Sequence, residues 1–321
     1  MGNEKDFFSA KQTIEDTHSF AGKNAYQWAH ACRYMPDGFT YSIFTESRRM
    51  AYLYEMYVEA ASLRSPGGKI VIMKSAQMGL SEFGINVALW FMDMEEEPAL
   101  YMLPTEPQLG AFVEARLDHV IASSQYIRQG FSGETDGVSL RTGWDQNLNL
   151  RSAGLVDRIS DFSASLVVMD ERDQMSTESV AMAYARQDAT RNKWKVLFSS
   201  PSLVECGIHL EYLGGSRGKF ALFCPECGEY VVPEWPDSAN RNHPNSVMCP
   251  SYDHELDKMN GKWIHAVPNA PYKSYSIDSF ASPTVSAGEM LDRDDAIDGD
   301  PVRMKAFFNL TLGQPTVELK E

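Results

Sequence analysis

Lys74-Ser75-Ala76-Gln77-Met78-Gly79-Leu80-Ser81 is the stretch whose residue types and spacing point most directly to chemistry. It follows an apolar run, Ile70-Val71-Ile72-Met73, and precedes another from Phe83 to Met92. Strand, tight loop and helix form the setting in which backbone N–H groups and a helix N-terminus hold a phosphate. The usual phosphate-loop pattern is G-x-x-x-x-G-K-[ST]. Gly79 and Ser81 occupy its second glycine and its hydroxyl position, Leu80 stands where the lysine should be, and Lys74 stands at the first glycine. The positive charge is thus displaced to the other end of the loop, from which a lysine reaches a β- or γ-phosphate. Ser81 keeps a hydroxyl for Mg²⁺. A strand–turn–helix with an incidental lysine is the plain alternative.

A second candidate lies about ninety residues on. Leu166-Val167-Val168-Met169 runs into Asp170-Glu171. A carboxylate ending a buried strand can hold Mg²⁺, and its neighbour can orient or deprotonate the attacking water. Asp170 is assigned to the metal and Glu171 to the water. Alone, such a strand end turning to solvent is common; its pairing with the Lys74–Ser81 loop argues for an NTPase. After the next apolar run, Lys195 to Phe198, come Ser199-Ser200-Pro201-Ser202, whose hydroxyls are placed to sense the γ-phosphate or simply to end a strand.

Cys224-Pro225-Glu226-Cys227 has the spacing of half a zinc knuckle. The other half reads Cys249-Pro250-Ser251-Tyr252-Asp253-His254, with Tyr252 where a second cysteine is expected. Cys224, Cys227, Cys249 and His254 are the candidate Zn²⁺ ligands, with His243 a weaker substitute for the last. A decayed ribbon held by packing is the alternative. Cys32 and Cys206 read as ordinary small apolar residues.

These groups need a scaffold. Apolar strand patterns at 70–73, 99–103, 166–169 and 195–198 alternate with helical ones at 46–62, 83–92, 108–123 and 176–188. That alternation predicts an α/β fold, a mostly parallel sheet with helices on both faces. Lys74, Pro104, Asp170 and Ser199 then share the carboxyl edge, where such sheets bind ligands. Gly-rich hairpins are expected between Ser132 and Asn149. The chain divides into an N-terminal segment 1–45, an ATPase core 46–213, a zinc-ribbon-like insert 214–265 and the end of the ATPase domain 266–321. Tyr275 to Phe280 is expected to rejoin the sheet as a strand, and 287–297 and 302–310 to be helical.

Composition narrows the class. The chain has 321 residues, 43% hydrophobic and 23% charged, with net charge −15. That balance argues against a broad DNA-coating surface, because non-specific DNA affinity comes mainly from Lys and Arg. A local basic patch or ring pore remains compatible with it. No apolar run approaches the ~20 residues of a membrane span, and Met1 to Thr13 has no signal-peptide core, so an intracellular protein is expected. Five cysteines, two of them as C-x-x-C, suggest thiols or a metal rather than disulfides.

In their order along the chain, these motifs resemble those of phage terminase large subunits of the lambda-like (GpA) class. KSAQMGLSE is similar to that family's displaced phosphate loop, LVVMDERD to its acidic motif, and SSPS to its coupling motif. The run from Tyr212 to Cys227 resembles its zinc-ribbon insert, and FFNLTLGQP (Phe307 to Pro315) resembles the segment closing its ATPase domain. The resemblance implies a P-loop ATPase that uses ATP and Mg²⁺ to move double-stranded DNA into a procapsid. Expected partners are the portal protein and a small terminase subunit, in a homo-oligomeric ring of about five copies, in the cytoplasm of an infected host and without a membrane. Family members carry a nuclease after the ATPase; no acidic cluster placed for one is visible here, so nuclease activity is not expected of this chain. Gln77 departs from relatives that have Arg inside the loop. An arginine finger is then needed from elsewhere. Arg158 is the first candidate, supplied by a neighbouring subunit, with Arg151, Arg186 and Arg191 as rivals and a surface salt bridge as the plain role for any of them. Base contacts in relatives precede the phosphate loop, which points to Tyr41–Arg49. Two other readings compete: a helicase-like or repair ATPase on the same fold, disfavoured because no second phosphate loop appears, and a nucleotide-dead assembly module.

Overall fold

The strands that carry the candidate site are buried on both faces, and the computed structural model shows why. It describes residues 24–35, 38–45, 50–62, 68–131 and 135–317. Residues 46–49 of the Tyr41–Arg49 stretch lie outside them, as do residues 1–23.

In chain order the described elements begin with helices α1 (Ala25–Cys32) and α2 (Leu53–Ser62), then strand β1 (Lys69–Lys74) and helix α3 (Leu80–Met94). Strand β2 (Ala99–Leu103) leads into α4 (Glu106–Phe112), a π-turn at Val113–Leu117, α5 (Asp118–Ser123) and α6 (Gln125–Gly130). A hairpin region follows: β3 (Thr135–Asp136), β4 (Leu140–Gly143) and β5 (Gln146–Ser152). Next are β6 (Leu166–Asp170), α7 (Thr177–Ala185), β7 (Trp194–Ser199), α8 (Gly207–Leu213) and β8 (Gly218–Phe223). The chain continues with β9 (Tyr230–Val231), β10 (Asp257–His265), β11 (Lys273–Ile277), α9 (Ala287–Asp295), α10 (Pro301–Ala306) and a second π-turn, Phe307–Thr311.

Among the described residues, eleven strands form one sheet in the order β10-β8-β11-β1-β7-β6-β2-β5-β4-β3, with β9 paired to β8. From β8 to β5 every pairing is parallel. Such strands need apolar residues on both sides, which explains their unbroken Val, Ile, Leu and Met runs. Along β1, Ile70 and Ile72 face the core that holds α3, while Val71 and Met73 face the one that holds Ile208 and Tyr212 of α8. Helix α3 is covered almost all round: 12 of its 15 residues are buried, as expected of a helix without a polar stripe. Gly84 lets it press onto the sheet, since a Cβ there would lie 2.9 Å from the Tyr101 hydroxyl and 3.0 Å from the Phe198 ring.

The strands of the 214–265 region, β8 and β10, belong to this same sheet and extend it beyond β11. Their antiparallel pairing and the largely half-exposed pattern of β10 are those of a sheet margin. The cysteine-bearing loops spring from the end of β8. Among the described residues no helix is long and apolar enough to cross a membrane.

Candidate nucleotide site and cysteine cluster

β1, β7 and β6 are consecutive parallel strands, so their carboxyl ends bring Lys74, Ser199 and Asp170 to one edge. Gly79 takes the left-handed conformation (φ 71°) as N-cap of α3. The first intrahelical donor is Phe83 N–H, to the Gly79 carbonyl at 3.1 Å. The N–H groups of Leu80, Ser81 and Glu82 therefore project from the helix end. They carry the positive end of the helix dipole toward the loop.

Lys74 is buried, 6% exposed. Its Nζ lies 2.5 Å from Glu171 Oε1 and 3.4 Å from Ser200 Oγ. Glu171 is itself left-handed (φ 60°), an uncommon conformation for a side-chain-bearing residue. That turn brings its carboxylate to the ends of β1 and β7. There Oε2 accepts from Ser200 N–H and faces Ser199 Oγ, both at 3.3 Å. Asp170 is nearly enclosed. Burial pushes its carboxyl above the usual range; a hydrogen bond from Ser81 opposes this, Glu171 reinforces it, and Lys74 and the Tyr101 hydroxyl (3.0 Å) oppose it. Ser81 and Asp170, the two expected Mg²⁺ ligands, are thus direct neighbours. A buried carboxylate beside a hydroxyl at a helix N-terminus is a donor set suited to Mg²⁺, which takes few protein oxygens and keeps its waters.

The Ser199–Ser202 segment is tied to the acidic motif twice more. Asp173 Oδ2 accepts from Ser202 N–H at 3.0 Å and from Ser202 Oγ at 2.9 Å, and Asp173 N–H donates to Ser199 Oγ at 3.1 Å. From Ser202 the connection reaches back to the loop. The Ser202 carbonyl accepts from Asn309 Nδ2 at 3.3 Å and from Thr316 N–H and Oγ1 at 3.1 Å. Leu310, next to Asn309, accepts the Ala76 N–H at 2.8 Å, and Ile277 accepts the Ser75 N–H at 2.9 Å. Gly313 (φ 59°) permits this closure, because a Cβ there would sit 2.8 Å from the Ser75 nitrogen.

Several participants were not evident from the sequence. Tyr101 reads as one apolar residue of a buried strand, yet its hydroxyl holds Asp170. Glu82 is gripped by buried Arg33 and lies 3.7 Å from Arg116. Arg33 also donates to Asn86 at 2.7 Å. None of these has a spacing signal, because each contact joins separate elements.

Arg158 ends a short 3-10 turn after β5. Its side chain is 69% exposed and meets only Glu106, at 3.8 Å, among the ion pairs of the described residues. β5 is four strands from β1, which at ~4.8 Å per strand is ~19 Å. The structure therefore does not bring Arg158 to Lys74 within one chain. Arg151 is engaged structurally, donating to the Arg158, Ser139 and Leu150 carbonyls and lying over the Phe162 ring. Arg186 donates to the Met182 carbonyl at 3.4 Å, and Arg191 is exposed.

The Sγ atoms of Cys224, Cys227 and Cys249 lie within 4.8 Å of one another. Burial pushes the Cys224 thiol up, but hydrogen bonds from the Cys227 backbone and thiol, the Glu226 backbone and the His254 side chain bring it down to about 7. His254 thus stands beside Cys224, and its Nδ1 is buried without a hydrogen-bond partner. Three thiols fit three corners of a tetrahedral Zn²⁺ site, while His254, beside Cys224, does not lie within 4.8 Å of all three sulfurs. Tyr252, at the lost cysteine position, is 64% exposed and stacks on His254 at 6.1 Å. His243 is exposed and outside the cluster, Cys32 is buried, and Cys206 is exposed.

Residues 45–267 match the family model described as phage terminase large subunit gpA, ATPase domain. No curated protein sequence matches significantly. Among solved structures, the HK97 bacteriophage large terminase aligns with TM-score 0.59 and 12% identity over 92% of this chain and 55% of that one. The ATPase domain of the large terminase of Thermus phage P74-26 aligns at 0.47 and 13%, covering 80% and 92%. The large terminase of the thermophilic bacteriophage D6E, in complex with ATP-gamma-S, aligns at 0.38 and 16%, covering 53% and 41%. The HK97 likeness is one of fold, and this chain spans about half of that protein's length.

Proposed function

This chain belongs to the family of phage terminase large subunit gpA ATPase domains, and from that premise we propose that it hydrolyses ATP with Mg²⁺ to drive double-stranded DNA into a procapsid. The observation that carries the reading is the meeting of Lys74, Glu171, Asp170 and Ser81 at one strand edge.

The triphosphate lies on the loop Ser75–Leu80, against the N–H groups at the start of α3. Lys74 leaves Glu171 for a β- or γ-phosphate oxygen. Ser81 and Asp170 hold Mg²⁺, which when bound neutralises charge on the phosphates. Glu171, released from Lys74, accepts a proton from the water it orients toward the γ-phosphorus. Little covalent chemistry is asked of the protein in such a reaction; positioning and charge carry it.

Departure of the γ-phosphate changes what Lys74 and Glu171 face. Ser199 and Ser200 both contact Glu171, Ser200 also contacts Lys74, and Ser202 passes the change to Asn309 and Thr316. This hydrogen-bonded path supports Ser199, Ser200 and Ser202 as the coupling segment. Arg158 is supplied to a neighbouring subunit's site in a ring, which fits its exposure and its distance from its own Lys74. The portal protein and a small terminase subunit are the partners, and the host cytoplasm is the place of action. Cys224, Cys227, Cys249 and His254 hold Zn²⁺ and brace the 214–265 region, while 46–213 and 266–321 form the motor core.

The test is Mg²⁺-dependent phosphate release by the chain with portal-bearing procapsids and DNA. Turnover that is lost in Lys74→Ala and stimulated by DNA supports the reading. A Lys74→Ala protein as active as the parent refutes it.

A further inference from the structure

Tyr101 reaches the metal side of the nucleotide site from within the sheet. β2 runs parallel to β6 with Tyr101 level with Val168, so Asp170 stands two residues further along. Two residues of strand rise about 6.6 Å, roughly the reach of a tyrosine side chain, and alternate residues share one face of a sheet. The ring leaves β2 on the side of α3, is 1% exposed, and stacks on Phe112 of α4 with centroids 4.6 Å apart and planes at 24°. Its hydroxyl sits in the notch at Gly84, where a Cβ would come within 2.9 Å of it, and donates to Asp170 Oδ2 at 3.0 Å. Burial and the charge of Asp170 push this hydroxyl well above its usual range, so it keeps its proton and stays a donor.

We propose that Tyr101 is a positioning residue for the metal: by occupying Oδ2 it makes Asp170 a one-oxygen partner of the ion and thereby favours Mg²⁺ over Ca²⁺, an assignment that rests on the ATPase reading above. A buried tyrosine hydroxyl needs a partner, and any backbone carbonyl would satisfy it. Here the acceptor is the carboxylate that also takes a hydrogen bond from Ser81. Glycine in a helix interior is unfavourable relative to alanine, and α3 carries one at the position that leaves room for this hydroxyl.

The two ions ask different things of a carboxylate. Mg²⁺ demands a near-ideal octahedron, takes one or two carboxylates and keeps several waters. Ca²⁺ takes about six to eight oxygens and readily accepts both from one carboxylate. A carboxylate held by Tyr101 on one side and Ser81 on another offers a single oxygen, to the ion or to one of its waters. Freed from Tyr101, it can turn and offer both, which helps Ca²⁺ and not Mg²⁺.

The experiment is calorimetric titration of the full chain with the Mg²⁺ and, separately, the Ca²⁺ complex of adenylyl-imidodiphosphate, a non-hydrolysable ATP analogue. Wild type and Tyr101→Phe are compared. Phenylalanine keeps the stack on Phe112 and removes only the hydroxyl. Wild type should bind the Mg²⁺ complex more tightly, and Tyr101→Phe should narrow the ratio of the two dissociation constants by about fivefold, a fraction of what one hydrogen bond to a charged group contributes. An unchanged ratio overturns the assignment, including the case in which both complexes weaken by the same factor, as a merely structural role would give. Wild type alone supplies a second readout. In a structure with Mg²⁺ and the analogue, the Tyr101 hydroxyl should remain within about 3.2 Å of Oδ2; a hydroxyl turned away from Asp170 overturns the proposal even if Tyr101→Phe does not fold. Failure of the underlying ATPase reading looks different: wild type then binds neither complex, or Lys74→Ala binds both as tightly as wild type does.

Discussion

Replacing Glu171 by Gln separates two consequences of one contact. Glu171 is the partner of Lys74 at 2.5 Å, so a triphosphate must displace it to gain the ammonium. A hydrogen bond to a charged group contributes roughly 1.5–3 kcal/mol. The Glu171 side chain is 26% exposed and that of Lys74 7%, so solvent screening lowers the effective competition to about 1 kcal/mol. The amide competes less well, and Mg–ATP should bind Glu171→Gln up to about fivefold more tightly than wild type. The amide cannot take the water's proton, and turnover should fall by about 10²–10⁴. Without nucleotide, Lys74 keeps only weaker partners, and the variant should melt about 2–4 °C lower. Calorimetry gives the affinity, single-turnover phosphate release the rate, and a melting curve with and without Mg–ATP the third quantity. Turnover within tenfold of wild type, or loss of ATP binding, would refute the roles given to Glu171 and Lys74.

Three further outcomes are expected. Arg158→Ala should abolish turnover in the assembled motor while leaving Mg–ATP affinity of the isolated chain unchanged; mixing Arg158→Ala with Glu171→Gln subunits should restore part of it, and no recovery would place the finger elsewhere. Asp278 is partly buried, and its desolvation raises its carboxyl from 3.8 to about 6 against the pull of the Phe280 N–H, Lys219 and Lys258. The fold therefore favours the protonated form: its contribution is complete below pH ~4 and is lost as pH rises through about 6. Asp278→Asn should gain roughly 3 kcal/mol relative to wild type between pH 4 and 7; a difference that is flat with pH in urea melts would contradict this. Finally, elemental analysis should find one Zn²⁺ per chain in wild type and its loss in Cys249→Ser, with a lowered melting temperature in both Cys249→Ser and chelator-treated wild type; metal-free protein of full stability would argue for a ribbon held by packing.

Much of the motor core could be read from the chain because its signals are local. Four apolar runs leading into Lys74, Pro104, Asp170 and Ser199 announce buried parallel strands, and the order of loop and acidic pair announces which edge they share. Helix boundaries were less legible: α3 reaches from Leu80 to Met94, past the apolar run 83–92, because Asn86 and Asp93 are buried through bonds to Arg33, Tyr57, Trp28 and Tyr126. The placement of β8 and β10 in the main sheet escaped composition, since sheet-margin strands with half-exposed residues resemble loop sequence. Tyr101, Asp173 and Asn309 were invisible as site residues because their partners are 69, 29 and 107 positions away.

The most direct test of the central claim is an experimental structure of the chain with Mg²⁺ and a non-hydrolysable ATP analogue. Lys74 Nζ should be found on a β- or γ-phosphate oxygen instead of on Glu171, with Mg²⁺ within about 2.1 Å of Ser81 Oγ and Asp170 beside it. A triphosphate bound away from the Ser75–Leu80 loop, with Lys74 still paired to Glu171, would contradict it.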